Sequence, residues 1–544
     1  MRSPVILIAA TAAFFPTYAF QLPFKIPFFS RSTQEPLALP EVQQAETIIP
    51  NRIAIIGAGA AGSSAAFWIS KAKERFGVDV EVDVYDKNGY IGGRSTTVQP
   101  YGDESLEPVE LGGSVFVKVN KILWRAVSEF DLELEDFGRD DDSVMGIWDG
   151  QEFVLTTGGG SLLGNWLDKF KILWRYGYKA PTKTQALVDA MASSIIRLYE
   201  PNAPVWQNAT SLLSELEWAD VTAQTMAEYL DLHGVDRRFS RELVEAATRV
   251  NYGQNVDEIH ALEGMVSLAA NGASTVKGGN WQIFESFVAA SNATLFLNTT
   301  VKAVSRFSAS GPWMVQSSAF KDPRLYRSII LAAPYDQTGI SFSTKTPLAE
   351  VKKRPYIHLN VTLLSTSSPT PNASYFNLGH GHKAPNSVLT TYDGLRQRGH
   401  SEPEFNSLTY HGKVLTKDGE KRVNAEGAEE WVVKIFSKQR LEDKWLEEMF
   451  EGKVGWVLRK EWDAYPVLPP TVEFPPVKLA EGLYYVNAFE PVISTMETET
   501  LAARNVVDLL MQEQYGAGLC KPHVVEDGEA ARELDDDFVY GWDC

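Results

Sequence analysis

One stretch, Arg52 to Thr97, constrains what this 544-residue chain can fold into more than any other. The apolar run Ile53–Ile56 suits a buried parallel strand, and Gly57-Ala58-Gly59-Ala60-Ala61-Gly62 turns it into a helix predicted over Ser63–Lys73. Gly57 permits the tight turn, Gly59 removes a Cβ from the path of a pyrophosphate, and Gly62 lets the helix pack closely on the strand. With Ala58 between them, these residues bring free N–H groups and the positive end of a helix to an anion. A second alternating run, Val80–Tyr85, ends at Asp86. Its carboxylate is placed to accept hydrogen bonds from adenosine ribose hydroxyls and to repel a 2′-phosphate, so NADP is disfavoured. The expectation is a dinucleotide site.

The next segment, Gly92-Gly93-Arg94-Ser95-Thr96-Thr97, resembles the second glycine motif of the amine-oxidase-like flavoproteins. That resemblance implies FAD rather than NAD, with Gly93 and Arg94 beside the flavin's phosphates, a role suited to a bidentate guanidinium. In related flavoproteins a turn like Gly112-Gly113 runs under the flavin edge, and a pair like Gly278-Gly279 stands next to the isoalloxazine. Val301 is expected to present backbone groups to the adenine. The implied fold class is α/β, a Rossmann-like FAD-binding domain interleaved with an α+β substrate domain.

The chain is long and apolar enough (44% hydrophobic) for more than one domain. A formal net charge of -19 argues against a nucleic-acid partner, which needs clustered Lys and Arg. Met1–Ala19 has one basic residue, an apolar run and a small residue at its end, the pattern of a cleaved secretory signal. Sequons at Asn208, Asn292, Asn298, Asn360 and Asn372 are consistent with that route and are glycosylation candidates. A vacuole, a lysosome or the exterior is the expected address. Cys520 and Cys544 either bridge to each other or remain as free or intermolecular thiols. His380-Gly381-His382 lacks a third ligand at a recognisable spacing, so no metal is expected.

The sequence divides as follows: signal 1–19, linker 20–50, and a first FAD-binding part 51–140. A mostly helical substrate-domain insertion 141–270 and a second FAD-binding part 271–340 come next. Substrate-domain strands 341–455, a third FAD-binding part 456–512 and an acidic tail 513–544 complete it. The apolar stripe at Ser161–Tyr178 reads as core, as the lining of an oily channel, or as a contact with a membrane surface.

Several segments together resemble the prenylcysteine oxidase family, also called prenylcysteine lyases. They are I-I-G-A-G-A-A-G-S-S at Ile55–Ser64, W-R-Y-G at Trp174–Gly177, N-Y-G-Q at Asn251–Gln254, G-M-V-S-L-A at Gly264–Ala269, K-G-G-N at Lys277–Asn280, and Y-V-N-A-F-E at Tyr485–Glu490. The resemblance implies oxidation of the thioether of S-farnesyl- or S-geranylgeranyl-cysteine with FAD, and because no cysteine or histidine tether sits beside the Gly-Gly turns the FAD is expected to be noncovalent. Loss of hydride from the carbon between alkene and sulfur, then addition of water, would release cysteine and the prenyl aldehyde, while dioxygen becomes peroxide. Burying a 15-carbon tail at about 0.8 kcal/mol per CH₂ supplies on the order of 10 kcal/mol before ordering costs. Because they flank family-specific turns, Tyr252, Gln254 and Asn280 are expected on the substrate side of the flavin and Glu490 near it. Val486-Asn487-Ala488 replaces the usual F-A-G of the wider group. Competing expectations are a flavin amine oxidase, marked by an aromatic cage and a lysine by the flavin, an oxidase of a prenylated metabolite, and a non-catalytic lipid-binding protein.

Overall fold

The computed structural model describes residues 49–136, 143–158, 162–269, 272–521 and 537–544, with the backbone alone over 162–167. The signal sequence and most of the linker lie outside the described residues. Arg52–Ile56 forms a strand flanked on both sides by parallel partners, Glu81–Tyr85 and Ser328–Leu331. A run buried on both faces has to be apolar throughout, and I-A-I-I is. The full sheet has six strands, in the order Lys478–Ala480, Leu483–Tyr485, Ser328–Leu331, Arg52–Ile56, Glu81–Tyr85 and Thr294–Phe296. Only the edge strand Lys478–Ala480 runs antiparallel to its neighbour. This is the α/β dinucleotide fold, assembled from three separate pieces of sequence.

The helix after the first strand is Ala60–Phe76, earlier by three residues than expected because Gly59 takes the N-cap position. It stops at Gly77, whose left-handed conformation turns its N–H back to the Lys73 carbonyl. The helix packs against Trp281–Ser291 and the long C-terminal helix Met496–Tyr515. Its buried alanines and serines, Ala61, Ser64, Ala65 and Ala72 among them, permit close approach.

A second sheet of seven strands carries the other domain, in the order Val454–Pro466, Tyr356–Thr366, Trp431–Ser437, Ser407–Lys413, Ser387–Thr390, Val144–Trp148 and Phe153–Gly158. Two expected boundaries are corrected here. Residues 144–158 are strands of this sheet and not part of the helical insertion. Val454–Pro466 belongs to it too, paired antiparallel with Tyr356–Thr366, so the third piece of the nucleotide sheet starts at Lys478. The sequence V-G-W-V-L-R-K-E-W-D-A-Y-P is half-exposed along its length, too polar for a strand buried on both faces. A four-stranded sheet, Arg324–Tyr326, Trp313–Ser317, Val301–Arg306 and Ser341–Thr344, flanks the nucleotide sheet.

An acidic tail is expected to be mobile beyond Gln514, but its described end, 537–544, is anchored. Although acidic in composition, its last residues are core: Val539 is fully buried, and Trp542 packs among Phe67, Trp68 and Phe287. Arg75 donates to the carbonyls of Gly541 and Trp542, both at 2.7 Å, and Cys520 is bonded to Cys544. Glu533 to Asp536 lie outside the described residues.

Of the sequons, Asn208, Asn292 and Asn298 are exposed. Asn360 is not available: it is buried within Tyr356–Thr366 and its amide donates to the Lys438 carbonyl at 3.1 Å. Asn372 is half-buried and its amide donates to the Glu448 carbonyl at 3.0 Å. His380 and His382 stand exposed in a turn. The helix Leu162–Tyr176 is anchored by Arg175 and Tyr176, which both reach Glu242 (2.6–2.8 Å). Phe170, Leu173, Trp174 and Tyr178 face outward, Trp174 at 80% exposure. The described part of the stripe is thus divided: Tyr176 belongs to the core with Ile172 packed against that core, the other large apolar side chains face outward, and none of them lines the cavity described below.

Candidate active site

One cavity of about 1580 Å³ runs from the glycine turn of the nucleotide sheet to one face of the seven-stranded sheet. That exceeds the usual volume of a drug-sized site, roughly 300–1,000 Å³, and gives room for a dinucleotide and a second molecule. Gly57, Gly59, Asp86, Gly93, Arg94, Gly112, Gly113 and Val301 all line it. Gly57 has φ +111°, and a Cβ there would collide with the Ala332 carbonyl. A Cβ on Gly59 would meet nothing closer than 3.7 Å, so its missing side chain opens space on the cavity side. Gly62 is buried behind the turn, where any Cβ would strike the Gly57 carbonyl; its role is packing.

Asp86 ends its strand and accepts two backbone N–H groups, Ala58 at 2.8 Å and Asn88 at 2.7 Å. The Ala58 N–H is thus committed to Asp86 and cannot serve a pyrophosphate, which corrects the expectation for Ala58. Each Asp86 oxygen retains a free lone pair for a ribose hydroxyl. Thr299 and Val301 close the cavity beyond it.

Arg94 lines the cavity half-buried, with one corner of its guanidinium tied to the wall. Its Nη1 donates to Glu490 Oε1 and to the Ala464 carbonyl, both at 2.6 Å. Burial opposes the charge, but Glu490 overrides it and holds the guanidinium pKa above its ordinary value. Glu490 lies behind the wall, 1% exposed, and accepts also from the Tyr356 hydroxyl (2.8 Å) and Asn487 Nδ2 (3.2 Å). It reaches the cavity only through Arg94 and Asn487.

Of the three residues expected on the substrate side, Tyr252 alone lines the cavity. It ends the helix Glu245–Tyr252 and meets Tyr465 edge-on, ring centroids 5.5 Å apart. Gln254 is buried, its carbonyl accepting from Leu468 N (2.7 Å) and its amide donating to the Pro466 carbonyl (3.2 Å). Asn280 is likewise buried, accepting from Val276 N (2.8 Å) and donating to the Gly113 carbonyl (3.0 Å). Both fix backbone around the cavity instead of facing it. Gly279 shares that place: with φ +119°, it turns the chain behind Thr97 and Trp281.

Several lining residues had not been expected. Lys434, on Trp431–Ser437, donates to the Glu110 carbonyl (2.8 Å) and to Ser114 Oγ (2.9 Å), beside the Gly112-Gly113 turn. Burial pulls its pKa down to about 8, against the attraction of Glu110. The Glu110 carboxyl, which receives the Asn280 N–H at 2.7 Å, is pushed up by burial to about 7. His411 stands nearby on the wall and is depressed to about 3 by burial and by Lys434. Glu263, fully buried next to Tyr252, is raised by burial to about 8. Trp431, Phe436, Trp462 and Tyr465 make the sheet side aromatic, and Asn487, in the short helical turn Val486–Ala488, and Glu499, at the start of the C-terminal helix, face the cavity. The one legible sign was Lys434 itself, a cation interrupting the apolar run W-V-V-K-I-F.

Comparison with known proteins agrees with this division. A profile of NAD(P)-binding Rossmann-like domains matches residues 55–130. The profile of the prenylcysteine lyase family matches residues 163–518. The chain belongs to the prenylcysteine lyase family. Among prenylcysteine lyase relatives, farnesylcysteine lyase of Arabidopsis thaliana is 28% identical over 476 residues, 85% of this chain and 88% of that protein. Prenylcysteine oxidase 1 of Homo sapiens is also 28% identical, over 86% of this chain and 90% of its own. In fold, cyclohexylamine oxidase from Brevibacterium oxydans superposes with a TM-score of 0.53 at 15% identity, covering 86% of this chain and 99% of the oxidase. This prenylcysteine lyase family member therefore has the amine-oxidase-like fold, with the seven-stranded sheet standing over the dinucleotide cradle.

Proposed function

We propose that the protein is an FAD-dependent oxidase of S-prenyl-L-cysteine, converting farnesyl- or geranylgeranylcysteine with dioxygen and water into prenyl aldehyde, cysteine and hydrogen peroxide. The carbon–sulfur bond breaks, the C1 carbon becomes the aldehyde, sulfur leaves as the thiol, and dioxygen takes up two electrons and two protons. The observation that carries this is the single continuous cavity, which joins a dinucleotide cradle to an aromatic wall inside a chain of this family.

The residues present fit the cofactor. Gly57, Gly59 and Gly93 leave the cradle free of side chains, and Asp86 keeps lone pairs for a ribose. Bound FAD would supply two-electron oxidation of the substrate and reoxidation by dioxygen. The chain itself has to position and dry the site. Tyr252, Tyr465, Trp462 and Phe436 offer apolar surface for a prenyl tail and exclude water. Lys434 fixes the Gly112–Ser114 turn and, with a further N–H beyond the two it uses, places a positive charge on the cavity wall. Lys460, also on the wall, is a second cation for a free carboxylate. A lysine and aromatic rings are also what a flavin amine oxidase would present, so they do not separate the two readings; family membership favours the thioether.

Finer parts of the reading have separate support. FAD held without a covalent bond is favoured because both cysteines are spent on each other; acid precipitation should leave the flavin in the supernatant. Passage through the secretory pathway to a vacuole, lysosome or the exterior is supported by the signal-like start and by three exposed sequons, and N-terminal sequencing with glycosidase treatment tests it. Contact with an anionic lipid surface is supported by exposed Phe170, Leu173, Trp174 and Tyr178. They lie in a segment, 169–183, with five Lys or Arg and no acidic residue in a chain of net charge -19. Among the described residues no helix is long and apolar enough to cross a membrane.

The deciding experiment incubates the purified protein with farnesylcysteine in air and follows peroxide, farnesal, cysteine and the flavin absorbance. Equal amounts of the three products establish the reaction. A yellow protein inert to prenylcysteines but active on a prenylated metabolite or an amine moves the activity elsewhere within the fold. A colourless protein that takes up no FAD leaves only a binding function.

A further inference from the structure

Two carboxyl groups, Glu490 and Glu499, share one amide behind the Arg94 turn. Asn487 Nδ2 donates to Glu490 Oε2 at 3.2 Å and to Glu499 Oε2 at 3.1 Å. Glu490, paired with Arg94, is a carboxylate and can only accept, so the NH₂ end of the amide faces it and Asn487 Oδ1 points the other way. That oxygen has no hydrogen-bond partner, and neither does Glu499 Oε1. Both side chains are more than nine-tenths buried, and both line the cavity. Unpaired buried polar atoms are costly, about 1–3 kcal/mol each, and two of them on one patch of cavity wall mark a place where a ligand completes the bonding.

The chemistry of that ligand follows from which acid carries a proton. Glu490 is fully engaged, by Arg94, the Tyr356 hydroxyl and Asn487. Glu499 has Asn487 alone and lies next to the Glu490 charge. Two adjacent carboxyls cannot both ionise cheaply, and Glu499 is the one without compensation. Burial and Glu490 push it well above its ordinary range, with Arg94 opposing. Tyr485, on the neighbouring strand, Tyr356, and the buried Glu263, which feels the Glu490 charge, are the other titratable groups near this pair. On the same helix, Glu497 is turned away, accepting from Ile122 N, Leu123 N and the Tyr199 hydroxyl.

We propose that Asn487 and Glu499 form a polyol-binding subsite for the dinucleotide, in which Glu499 acts as a carboxylic acid that donates a hydrogen bond while Asn487 Oδ1 accepts one. A hydroxyl group is both donor and acceptor and satisfies the pair; a phosphate offers acceptors only and would leave Asn487 Oδ1 unmet. The inference rests on the flavin reading above and names the groups of the cofactor that this chain grips.

The test measures FAD affinity of the apoprotein by calorimetry at pH 6 and pH 9, for wild type, Glu499→Gln and Glu499→Leu, with thermal unfolding of each apoprotein as a folding control. Glutamine keeps the donor at every pH. Glu499→Gln should stay within about threefold of wild type at pH 6 and lose less affinity than wild type between pH 6 and pH 9, because only the acid can ionise. Glu499→Leu, which relieves a buried acid, should keep apoprotein stability yet weaken FAD by about tenfold or more. ADP, which has a ribose but no ribityl chain, identifies the hydroxyls: unchanged ADP affinity in Glu499→Leu assigns the ribityl chain, and a parallel loss assigns the adenosine ribose. Wild-type FAD affinity in Glu499→Leu overturns the subsite. Glu499→Gln as weak as Glu499→Leu at pH 6 overturns the protonated form. Wild-type protein that takes up no FAD overturns the flavoenzyme reading and the subsite together.

Discussion

At the scale of single residues, the site depends on polar groups that hold other groups still. Arg94 is held by Glu490, and Glu490 is buried with no other cation bonded to it. Removing the arginine leaves a buried carboxylate unpaired, so Arg94→Ala should cost about 2–3 kcal/mol in urea unfolding of the apoprotein. The double variant Arg94→Ala/Glu490→Gln should recover a good part of that loss, because the stranded charge is gone. Additive losses would show that the two side chains act independently. These partnerships explain what sequence could and could not convey. Gly57, Gly59 and Asp86 were legible because their work is local, done within one strand and one turn. Asn280 and Gln254 were misplaced because sequence neighbourhood cannot tell a side chain that faces a cavity from one that pins the backbone behind it. Glu499 was invisible: its meaning comes from Glu490 and Asn487 across the fold.

At the scale of elements, helix termini and strand edges decide which pieces join the site. Alternation and glycine turns located the six-stranded sheet, but the seven-stranded sheet was legible only in part. Its edge strand Val454–Pro466 is half-polar, and the segment that completes it, Val144–Gly158, is separated from the rest by the helical insertion. Antiparallel pairing over such distances leaves no local mark. The helix Leu162–Tyr176 leads to a prediction of its own. If its exposed aromatic face meets lipid, Trp174→Glu should reduce co-sedimentation with phosphatidylserine-containing vesicles by at least about tenfold and leave unfolding within about 0.5 kcal/mol, since Trp174 is at the surface. Binding should weaken with salt, as expected of a basic segment. Equal sedimentation of wild type and variant removes lipid contact from the proposal. The C-terminal strap is similar in kind. Cys520 and Cys544 are 24 residues apart, and a loop of that size is worth roughly 3 kcal/mol in the unfolded-chain account. Cys544→Ser should approach that loss, with Trp542 fluorescence shifting red as the strap loosens; an unchanged unfolding midpoint would mean that Trp542 and Arg75 hold it unaided.

At the scale of the whole molecule, the interior contains acids that stay protonated in the folded state, and this fixes how stability varies with pH. Glu263 is raised by burial to about 8, and Glu110 and Glu497 to about 7, against about 4.3 for an exposed glutamate. Between those limits the native state binds more protons than the unfolded chain, so stability falls as pH rises through that window. His260 acts in the opposite sense lower down. Buried and depressed to about 4, it is neutral when folded but takes a proton when unfolded below about 6.5, so its contribution is lost as pH falls from about 6.5 to 4. Where the windows overlap, from about 4.3 to 6.5, the three acids outweigh the one histidine, so stability from these groups still falls as pH rises and His260 only lessens the slope. Glu263→Gln isolates the larger acid: it has the same volume and cannot ionise, so it should lose less stability between pH 5 and pH 8 than wild type while matching it near pH 5. Urea unfolding at several pH values checks this directly. Parallel wild-type and variant profiles would mean that Glu263 finds its charge compensated in the fold, and that the alkaline limb belongs to Glu110 and Glu497.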